Sequence, residues 1–196
     1  MSLIHRLLPV LFMAVALSVP SISSGQNERQ NMPTCNDFKF TLLSLGSGST
    51  RLTYERAFNP KNSAEFTLGA IGLGWDWMNE SDPEGLLVKI AYKWRRRPQR
   101  TSDSWLAGRY LKLELVATHF EYHPSGEVFC KDTYQYALLG ELGYQLVLDW
   151  FVFDIYAGLG HSVGSGNANN YFHSFMLLPP RSILAVTAGF RLGVAF

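Results

Sequence analysis

The chain has 196 residues and a formal net charge of +1, from 17 lysines and arginines against 16 aspartates and glutamates. Its residues are 47% hydrophobic, 14% aromatic and 17% charged, and this charged fraction is below the roughly 25% of soluble domains. Such a composition excludes extended disorder. A nearly neutral chain also lacks the electrostatic footprint of a nucleic-acid-binding protein, so we expect no nucleic-acid partner.

The amino terminus predicts an export signal. Arg6 precedes an apolar run over residues 7–19, and small residues follow up to Gly25. This is the order of a secretory signal, and the run is shorter than the ~20 residues that a spanning helix needs. The alternative is the buried first helix of a globular domain. We predict a cleaved signal peptide over residues 1–25, a short periplasmic segment over residues 26–36 and a barrel over residues 37–196.

Beyond the signal, apolar residues recur with period two in segments of about ten residues, separated by turn residues. The predicted strands cover residues 37–46, 49–58, 63–77, 85–96, 107–121, 133–147, 150–162 and 182–196. Eight strands predict an all-β fold, an eight-stranded antiparallel transmembrane β-barrel of the outer-membrane type. Residues 46–49 form either a tight turn or a kink, and a kink would leave seven strands. A phase shift near residues 71–73 predicts a bulge.

One face of these strands is apolar and the other is charged. The bases on the charged face are Lys39, Arg51, Lys89, Lys93, Arg95, Lys112 and Arg191. The acids are Asp37, Glu55, Glu65, Glu114, Glu141 and Asp154. In a soluble sandwich these charges would face water, whereas in a membrane barrel they face inward. Eight strands leave an interior just wide enough for side chains, so the near balance of charge predicts a salt-bridged interior and no open pore.

Three further features favour lipid. Aromatic residues cluster at strand ends, as in interfacial girdles: Phe38, Tyr54, Trp75, Trp77, Trp94, Trp105, Trp150, Phe151 and Phe196. The last strand ends on Phe196, like the assembly signal of outer-membrane barrels, which implies the barrel-assembly machinery as a partner. Connections also alternate in length. We expect outward loops at residues 46–49, 78–84, 122–132 and 163–181, and periplasmic turns at residues 59–62, 97–106 and 148–149. The predicted location is the outer membrane.

Several short stretches resemble a family of small Bacteroidota outer-membrane barrels of uncharacterised function. They are Phe40-Thr41-Leu42-Leu43-Ser44, Leu52-Thr53-Tyr54-Glu55-Arg56, Asn59-Pro60-Lys61-Asn62-Ser63, Leu142-Gly143-Tyr144-Gln145 and Gly189-Phe190-Arg191-Leu192-Gly193. The resemblance covers most of residues 37–196. It implies an eight-stranded barrel in the outer membrane and supplies no catalytic residue.

Candidate chemistry is sparse. The pairs His161-Ser162 and His173-Ser174 suggest a hydrolase. Neighbours on a strand point to opposite faces, so His161 and Ser162 cannot form a dyad if the seventh strand reaches them, whereas His173-Ser174 lies in a loop where its geometry is unconstrained. His119 and Glu121 share a face near a strand end, a possible acid–base pair, yet His119 is in phase with the outward leucines. We find no phosphate loop, zinc spacing or calcium loop, and expect no cofactor or metal.

Two segments have more than one interpretation. Arg95, Arg96, Arg97 and Arg100 form a basic cluster that either contacts anionic lipid headgroups or an acidic partner, or is a solvated turn, which we favour. The loop over residues 163–181 is rich in apolar residues and either folds over the barrel mouth or forms a contact surface.

Three functions are consistent with these patterns. The leading hypothesis is a closed, non-enzymatic outer-membrane barrel with a structural or surface-interaction role. The second is a lipid-modifying barrel enzyme that uses residues among His119, His161 and His173. The third is a soluble secreted barrel that carries an apolar ligand.

The topology predicts that Cys35 and Cys130 do not form a disulfide. Cys35 precedes the first strand on the periplasmic side, whereas Cys130 lies in an outward loop. We expect intact-mass analysis of the non-reduced protein to show both thiols. A bridged mass would contradict the predicted order of strands.

Overall fold

A computed structural model of the protein describes residues 34–76, 83–96, 104–122, 131–164, 173–179 and 182–196. The strands are β1 (Asn36–Thr41), β2 (Ser47–Asn59), β3 (Asn62–Asp76), β4 (Glu84–Arg95), β5 (Gly108–Tyr122), β6 (Lys131–Leu148), β7 (Phe151–Gly164), β8 (Met176–Leu177) and β9 (Leu184–Ala195). A single turn of 3-10 helix, Leu42–Ser44, follows β1. In this part of the chain, no helix is both long and apolar enough to cross a membrane.

The sheet closes on itself. Each strand from β1 to β7 pairs antiparallel with the next, β7 pairs with β9, and β9 pairs with β1. These eight strands form a closed antiparallel barrel, which confirms the predicted all-β fold and strand count. The signal peptide and most of the predicted periplasmic segment lie outside the described residues.

The first predicted strand is too long. It was expected over residues 37–46, but β1 ends at Thr41, where the Ser44 hydroxyl donates to the Thr41 carbonyl at 2.5 Å and starts a tight turn. The chain then reverses into β2, so residues 46–49 do not continue β1 through a kink. The predicted bulge is confirmed, because the β2–β3 pairing jumps from Ser47–Asp76 to Ser49–Ile71.

Because β1 is short, the wall has a gap in its backbone pairing between β2 and the upper part of β9, which we call the seam. β1 pairs with β9 only from Thr41–Arg191 to Asp37–Ala195, although β9 continues upward to Leu184. Beside the upper part of β9, the two-residue strand β8 takes the place of β1 and pairs Met176 with Val186. This strand was not predicted, because residues 163–181 were assigned to a loop.

Side chains are distributed inside out relative to a soluble domain. On β5, Leu113 and Leu115 are 45% and 59% exposed, whereas Lys112 between Leu111 and Leu113 is 1% exposed. The same alternation runs through β4, where every second residue from Leu87 to Arg95 is buried. Burial therefore follows the period of the pleat, with the charged face inside.

A short segment closes the lower end of the barrel, the end that carries the turns at residues 60–61 and 149–150. Leu106 is fully buried there and packs with Ala57, Val152 and Ala195. Trp105, which the aromatic pattern places in an interfacial girdle, is half-buried and packs against this cluster. Cys35 packs there too, and this partial burial raises the pKa of its thiol against the opposing effect of Arg56. Cys130 lies outside the described residues.

Glycines on the inner face make room for large neighbours. Gly143 on β6 lies opposite Tyr110 on β5, and a Cβ added at Gly143 would overlap the tyrosine ring and lie 2.8 Å from the Ile155 carbonyl oxygen. Gly193 lies opposite Lys39, whose Cγ would be 2.8 Å from such a Cβ. The interior is so narrow that these inner positions, which lie opposite large side chains, require glycine.

Gly143→Ala is expected to destabilise the folded barrel by about 1–3 kcal/mol, because the added methyl group overpacks the interior. Gly140→Ala, on the same strand, is the matched control. Its added Cβ has only the Leu159 carbonyl oxygen nearby, at 3.8 Å. The free energy of unfolding, measured by tryptophan fluorescence in a denaturant titration, should fall for the first variant only. Equal effects in both variants would contradict this account of the interior.

Candidate functional site

The interior of the barrel holds the charged residues that the alternation places on the inner face. None of these seven bases and six acids is more than 6% exposed. The buried residues are Asp37, Lys39, Arg51, Glu55, Glu65, Lys89, Lys93, Arg95, Lys112, Glu114, Glu141, Asp154 and Arg191. They divide into a lower cluster, an upper cluster and one residue outside both.

The lower cluster centres on two lysines. Lys39 on β1 and Lys93 on β4 share Glu55 and Glu65, with Lys39 Nζ 2.6 Å and Lys93 Nζ 2.7 Å from Glu65 Oε1. Lys39 and Glu55 are in direct contact, and Lys93 Nζ is 3.0 Å from Glu55 Oε2. Each carboxylate therefore serves cations from strands that are not neighbours in the sheet.

The upper cluster centres on Lys112. Its Nζ lies 2.7 Å from Glu114 Oε2 and 2.6 Å from Glu141 Oε2. Glu114 also pairs with Lys89, at 2.6 Å. A contact of 3.5 Å from Lys112 Nζ to Glu65 Oε2 connects this cluster to the lower one.

Arg191 ties β9 to the opposite wall. Its guanidinium contacts Asp154 Oδ2 on β7 at 2.6 Å and Glu65 Oε2 on β3 at 3.1 Å. It also lies 4.8 Å from the ring centre of Tyr156, and Asp154 accepts a hydrogen bond of 2.6 Å from Tyr110. Burying charge is tolerable only with such paired and hydrogen-bonded partners.

Three uncharged residues belong to this network although sequence reasoning did not include them. They are Tyr110, Tyr156 and Gln145, whose amide nitrogen donates to Asp37 at 2.6 Å and whose amide oxygen accepts from Lys93 at 3.0 Å. Their position in phase with the charged face was the available signal. Attention to charge alone missed their role as bridging polar groups.

Arg51 is the exception among the interior charges. It is buried, yet within the described residues it makes no ion pair, and its Nε donates only to Ser49 Oγ at 3.2 Å. Among these seven bases and six acids, Arg51 is the base that no described carboxylate contacts.

Above the charges the interior is mixed, because ten apolar side chains lie there among buried polar ones that include Thr118, Thr133, Gln135 and Ser162. The apolar residues pack as one buried cluster: Ile71, Leu87, Val116, Phe120, Tyr122, Ala137, Leu139, Phe175, Leu177 and Ala185. Phe175 and Leu177 come from residues 173–178, a segment that we call the strap. The sequence left open whether the loop over residues 163–181 folds over the barrel mouth or forms a contact surface. For the strap the structure shows the first alternative, because the strap lies in the mouth.

The strap bridges the seam above β1. Ser49 Oγ on β2 donates to the His173 carbonyl at 3.3 Å, and His173 Nδ1 lies 3.1 Å from the Ser47 carbonyl. On the other side, Thr187 Oγ1 on β9 donates to the Ser174 carbonyl at 3.1 Å. The strap therefore completes the wall between β2 and β9.

The candidate catalytic histidines are not brought together. His119 is exposed on the outer surface, stacks on Tyr134 at 4.2 Å and contacts Asp132 at 3.1 Å. His161 is exposed while Ser162 is buried, so they face opposite sides as predicted. His173 is buried in the mouth, against Phe120. No cluster of three or more metal-ligating side chains occurs among the residues described.

The predicted basic cluster is divided. Arg95 belongs to the interior, where it contacts Glu55 and donates to Ser63 Oγ at 2.6 Å and to the Leu106 carbonyl at 3.1 Å. Its assignment to a solvated turn is therefore wrong. Arg96 is exposed, and Arg97 and Arg100 lie outside the described residues.

Comparison with family models, with curated proteins and with solved structures finds no match for the chain.

Glu55→Gln is expected to destabilise the barrel by about 3–5 kcal/mol, because it leaves buried cations without compensation. Glu55 contacts Lys39, Lys93 and Arg95. Glu121→Gln makes the same chemical change at an exposed position and should alter the free energy of unfolding by no more than about 0.5 kcal/mol. Denaturant titration of both variants checks this. A neutral effect of Glu55→Gln would show that the network does not stabilise the fold.

Proposed function

We propose that this protein is a small, closed outer-membrane barrel, exported through a cleaved signal peptide, with a structural or surface-interaction role and no catalysis. The observation that carries the proposal is the inside-out burial of side chains. Charged groups are paired in the centre while large apolar groups cover the outside. Lipid is the solvent in which this arrangement is stable, because acyl chains solvate leucine and cannot solvate ions.

The outer surface is apolar around the ring. Exposed apolar side chains occur on seven of its eight strands and include Phe58, Phe66, Leu68, Leu86, Ile90, Leu111, Leu113, Leu115, Leu138, Leu142, Ile155, Leu159, Leu184 and Val194. A soluble domain rarely exposes a contiguous apolar surface of this kind. Closure of the sheet also pairs the backbone polar groups internally, which lipid requires.

Aromatic residues mark the lower rim. Phe38 and Phe196 stack at 5.7 Å, Tyr92 and Trp94 lie 4.7 Å apart, and Trp150 is exposed in the adjacent turn. Rings at one level of the outer surface suit a membrane interface. They support the proposal that Phe196 is an assembly signal read by the barrel-assembly machinery.

The outward charges differ between the two ends. Those described near the lower rim are mostly basic: Arg56, Lys61, Arg96 and Arg109, with Asp149 as the acidic one. Those near the upper rim include Glu84, Glu121 and Asp132. We propose that the lower end faces the periplasm, because the short turns at residues 60–61 and 149–150 lie at this end and such barrels have short periplasmic turns. This orientation matches the expected placement of loops and turns.

A lipid-modifying enzyme is the less favoured alternative. It needs several polar groups that converge on one site. His119 contacts Asp132 at 3.1 Å on the outer surface, but the three candidate histidines do not come together. A soluble carrier is also less favoured, because its apolar residues would line the interior. The resemblance to small Bacteroidota outer-membrane barrels is in keeping with the proposal.

The test of the proposal is heat-modifiable mobility. Detergent extracts of cells that express the full chain should show a fast-migrating band without heating and a slower band after boiling. The band should fractionate with outer membranes and lack residues 1–25 by mass. A protein that is found in the soluble fraction with one mobility would overturn the proposal.

Leu115→Arg is expected to cost about 2–4 kcal/mol of folding free energy in a bilayer, because a cation at the midplane faces hydrocarbon. Leu115 is the central residue of β5. Leu148→Arg, at the end of β6, is the control, since arginine near the interface costs about 0–1 kcal/mol. The two leucines are similarly exposed, at 59% and 56%. Refolding into liposomes, scored by the unheated fast band, separates the variants. If this face contacts water and not lipid, both substitutions will reduce the refolded fraction equally little, and the proposal will be contradicted.

A further inference from the structure

We propose that the largely apolar upper interior is a binding site for a long-chain carboxylate, which reaches it from the membrane through the seam that the strap closes. This inference rests on the proposed location in lipid. The strap acts as an internal substitute for the ligand, with Phe175 and Leu177 in the space that an acyl chain takes. Three independent features of the upper interior support it.

The first feature is the chemistry of the site. Apolar side chains from β3 to β6 and from β9 line it, and Arg51 lies beside Leu87 at its floor. Arg51 is 6% exposed and, within the described residues, has no carboxylate partner. A buried cation without a counter-ion is costly, and a ligand carboxylate would neutralise it. A largely apolar wall that also carries neutral polar groups, Thr118 and Gln135 among them, with one cationic group at its base, is complementary to an amphiphile that carries a single negative charge.

The second feature is unused hydrogen-bonding capacity. Thr133 Oγ1 on β6 and Ser174 Oγ on the strap are buried and have no hydrogen-bond partner within the described residues. Most buried polar atoms in native proteins have one. Both hydroxyls belong to the mouth, one on the strap and one on β6. They add polar groups that a bound carboxylate or its water can use.

The third feature is the construction of the wall. The strap alternates like a strand, with Phe175 and Leu177 inward and Met176 and Leu178 exposed on the outer surface. It therefore faces lipid on one side and the apolar interior on the other. β8 pairs with β9 at only two positions, Met176–Val186 and Leu177–Ala185. This is the most weakly paired part of the closed sheet that the structure describes.

Arg51 is linked to the strap by hydrogen bonds. Its Nε donates to Ser49 Oγ at 3.2 Å, and Ser49 Oγ donates to the His173 carbonyl at 3.3 Å. A carboxylate on Arg51 competes for this guanidinium and removes one support of the closed strap. Exchange of Phe175 and Leu177 for an acyl chain replaces apolar contacts with apolar contacts, so it changes the hydrophobic free energy little. The ion pair between Arg51 and the ligand carboxylate then sets the equilibrium between the closed and the open strap. A ligand shifts such an equilibrium only when it binds one state more tightly than the other.

The experiment measures binding of palmitate to the full-length protein in phosphatidylcholine nanodiscs, with empty nanodiscs as background. All variants are made in a Cys35→Ser, Cys130→Ser background. Met176→Cys with Val186→Cys locks the strap onto β9, because antiparallel partners have Cα atoms about 4.5–5.5 Å apart and a disulfide spans that separation. We expect the oxidised lock to weaken palmitate binding at least tenfold and a reducing agent to restore it. Unchanged binding in the oxidised form would overturn the seam as the route.

Arg51→Gln tests recognition of the carboxylate. We expect palmitate binding to weaken by about tenfold to a hundredfold, as for loss of a charge-assisted hydrogen bond. Hexadecanol, which lacks the charge, should bind this variant and the parent equally. Arg109→Gln, on the outer surface, is the matched control and should change nothing. Equal palmitate affinity in Arg51→Gln and the parent would refute the assigned role of Arg51.

Phe175→Ala tests whether Phe175 occupies the space that the acyl chain of the ligand takes. Removal of the ring should increase palmitate affinity severalfold, whereas Met176→Ala on the outer side of the strap should leave it unchanged. Absence of palmitate binding in every form, above the empty nanodiscs, would end the inference. Heat-modifiable mobility of the same samples separates the two proposals, because a barrel that shifts on heating and binds no palmitate leaves the proposed membrane role intact.

Discussion

Pairing of buried charge is the interaction on which the rest of this structure depends. Seven basic and six acidic side chains share an interior that is only as wide as the side chains themselves. Since removal of one partner from such a pair is far more costly than the pair is stabilising, the cations and anions have to alternate in space. Glu65 illustrates the solution, because it receives Lys39, Lys93 and Arg191 from three different strands. The ion pairs thus cross-link the ring where backbone hydrogen bonds cannot reach.

The two ends of the barrel follow from this arrangement. At the lower end Leu106 and its neighbours seal the charged centre beneath Arg95, whose guanidinium binds the Leu106 carbonyl. At the upper end apolar residues replace charges, and the strap fills the mouth. Arg51, the one buried cation without a carboxylate partner among the described residues, lies where the two environments meet. Its position gives a physical reason to look for a ligand at this boundary and not deeper in the network.

The same geometry relates the proposed location to the proposed ligand. In the proposed location, acyl chains would lie against the whole wall, including the seam that β1 leaves open. The strap residues Met176 and Leu178 belong to that surface, while Phe175 and Leu177 belong to the interior. A ligand that is dissolved in the membrane needs no aqueous route to the mouth. The structural role and the binding site are therefore compatible in one small barrel.

The sequence by itself determined most of the strands and which face of each carries charge, because the pleat has a period of two and that period is local. It left open whether β1 and β2 are separate strands. It placed Lys112 and Leu113 on opposite sides without any knowledge of the partner strands. Tertiary structure alone decided which charges pair, since Lys39 and Glu65 meet across the ring. It also decided that β1 stops at Thr41 and that residues 173–178 enter the wall. Those outcomes depend on closure of the sheet, a constraint that acts between segments far apart in the chain and leaves no periodic trace in any one of them.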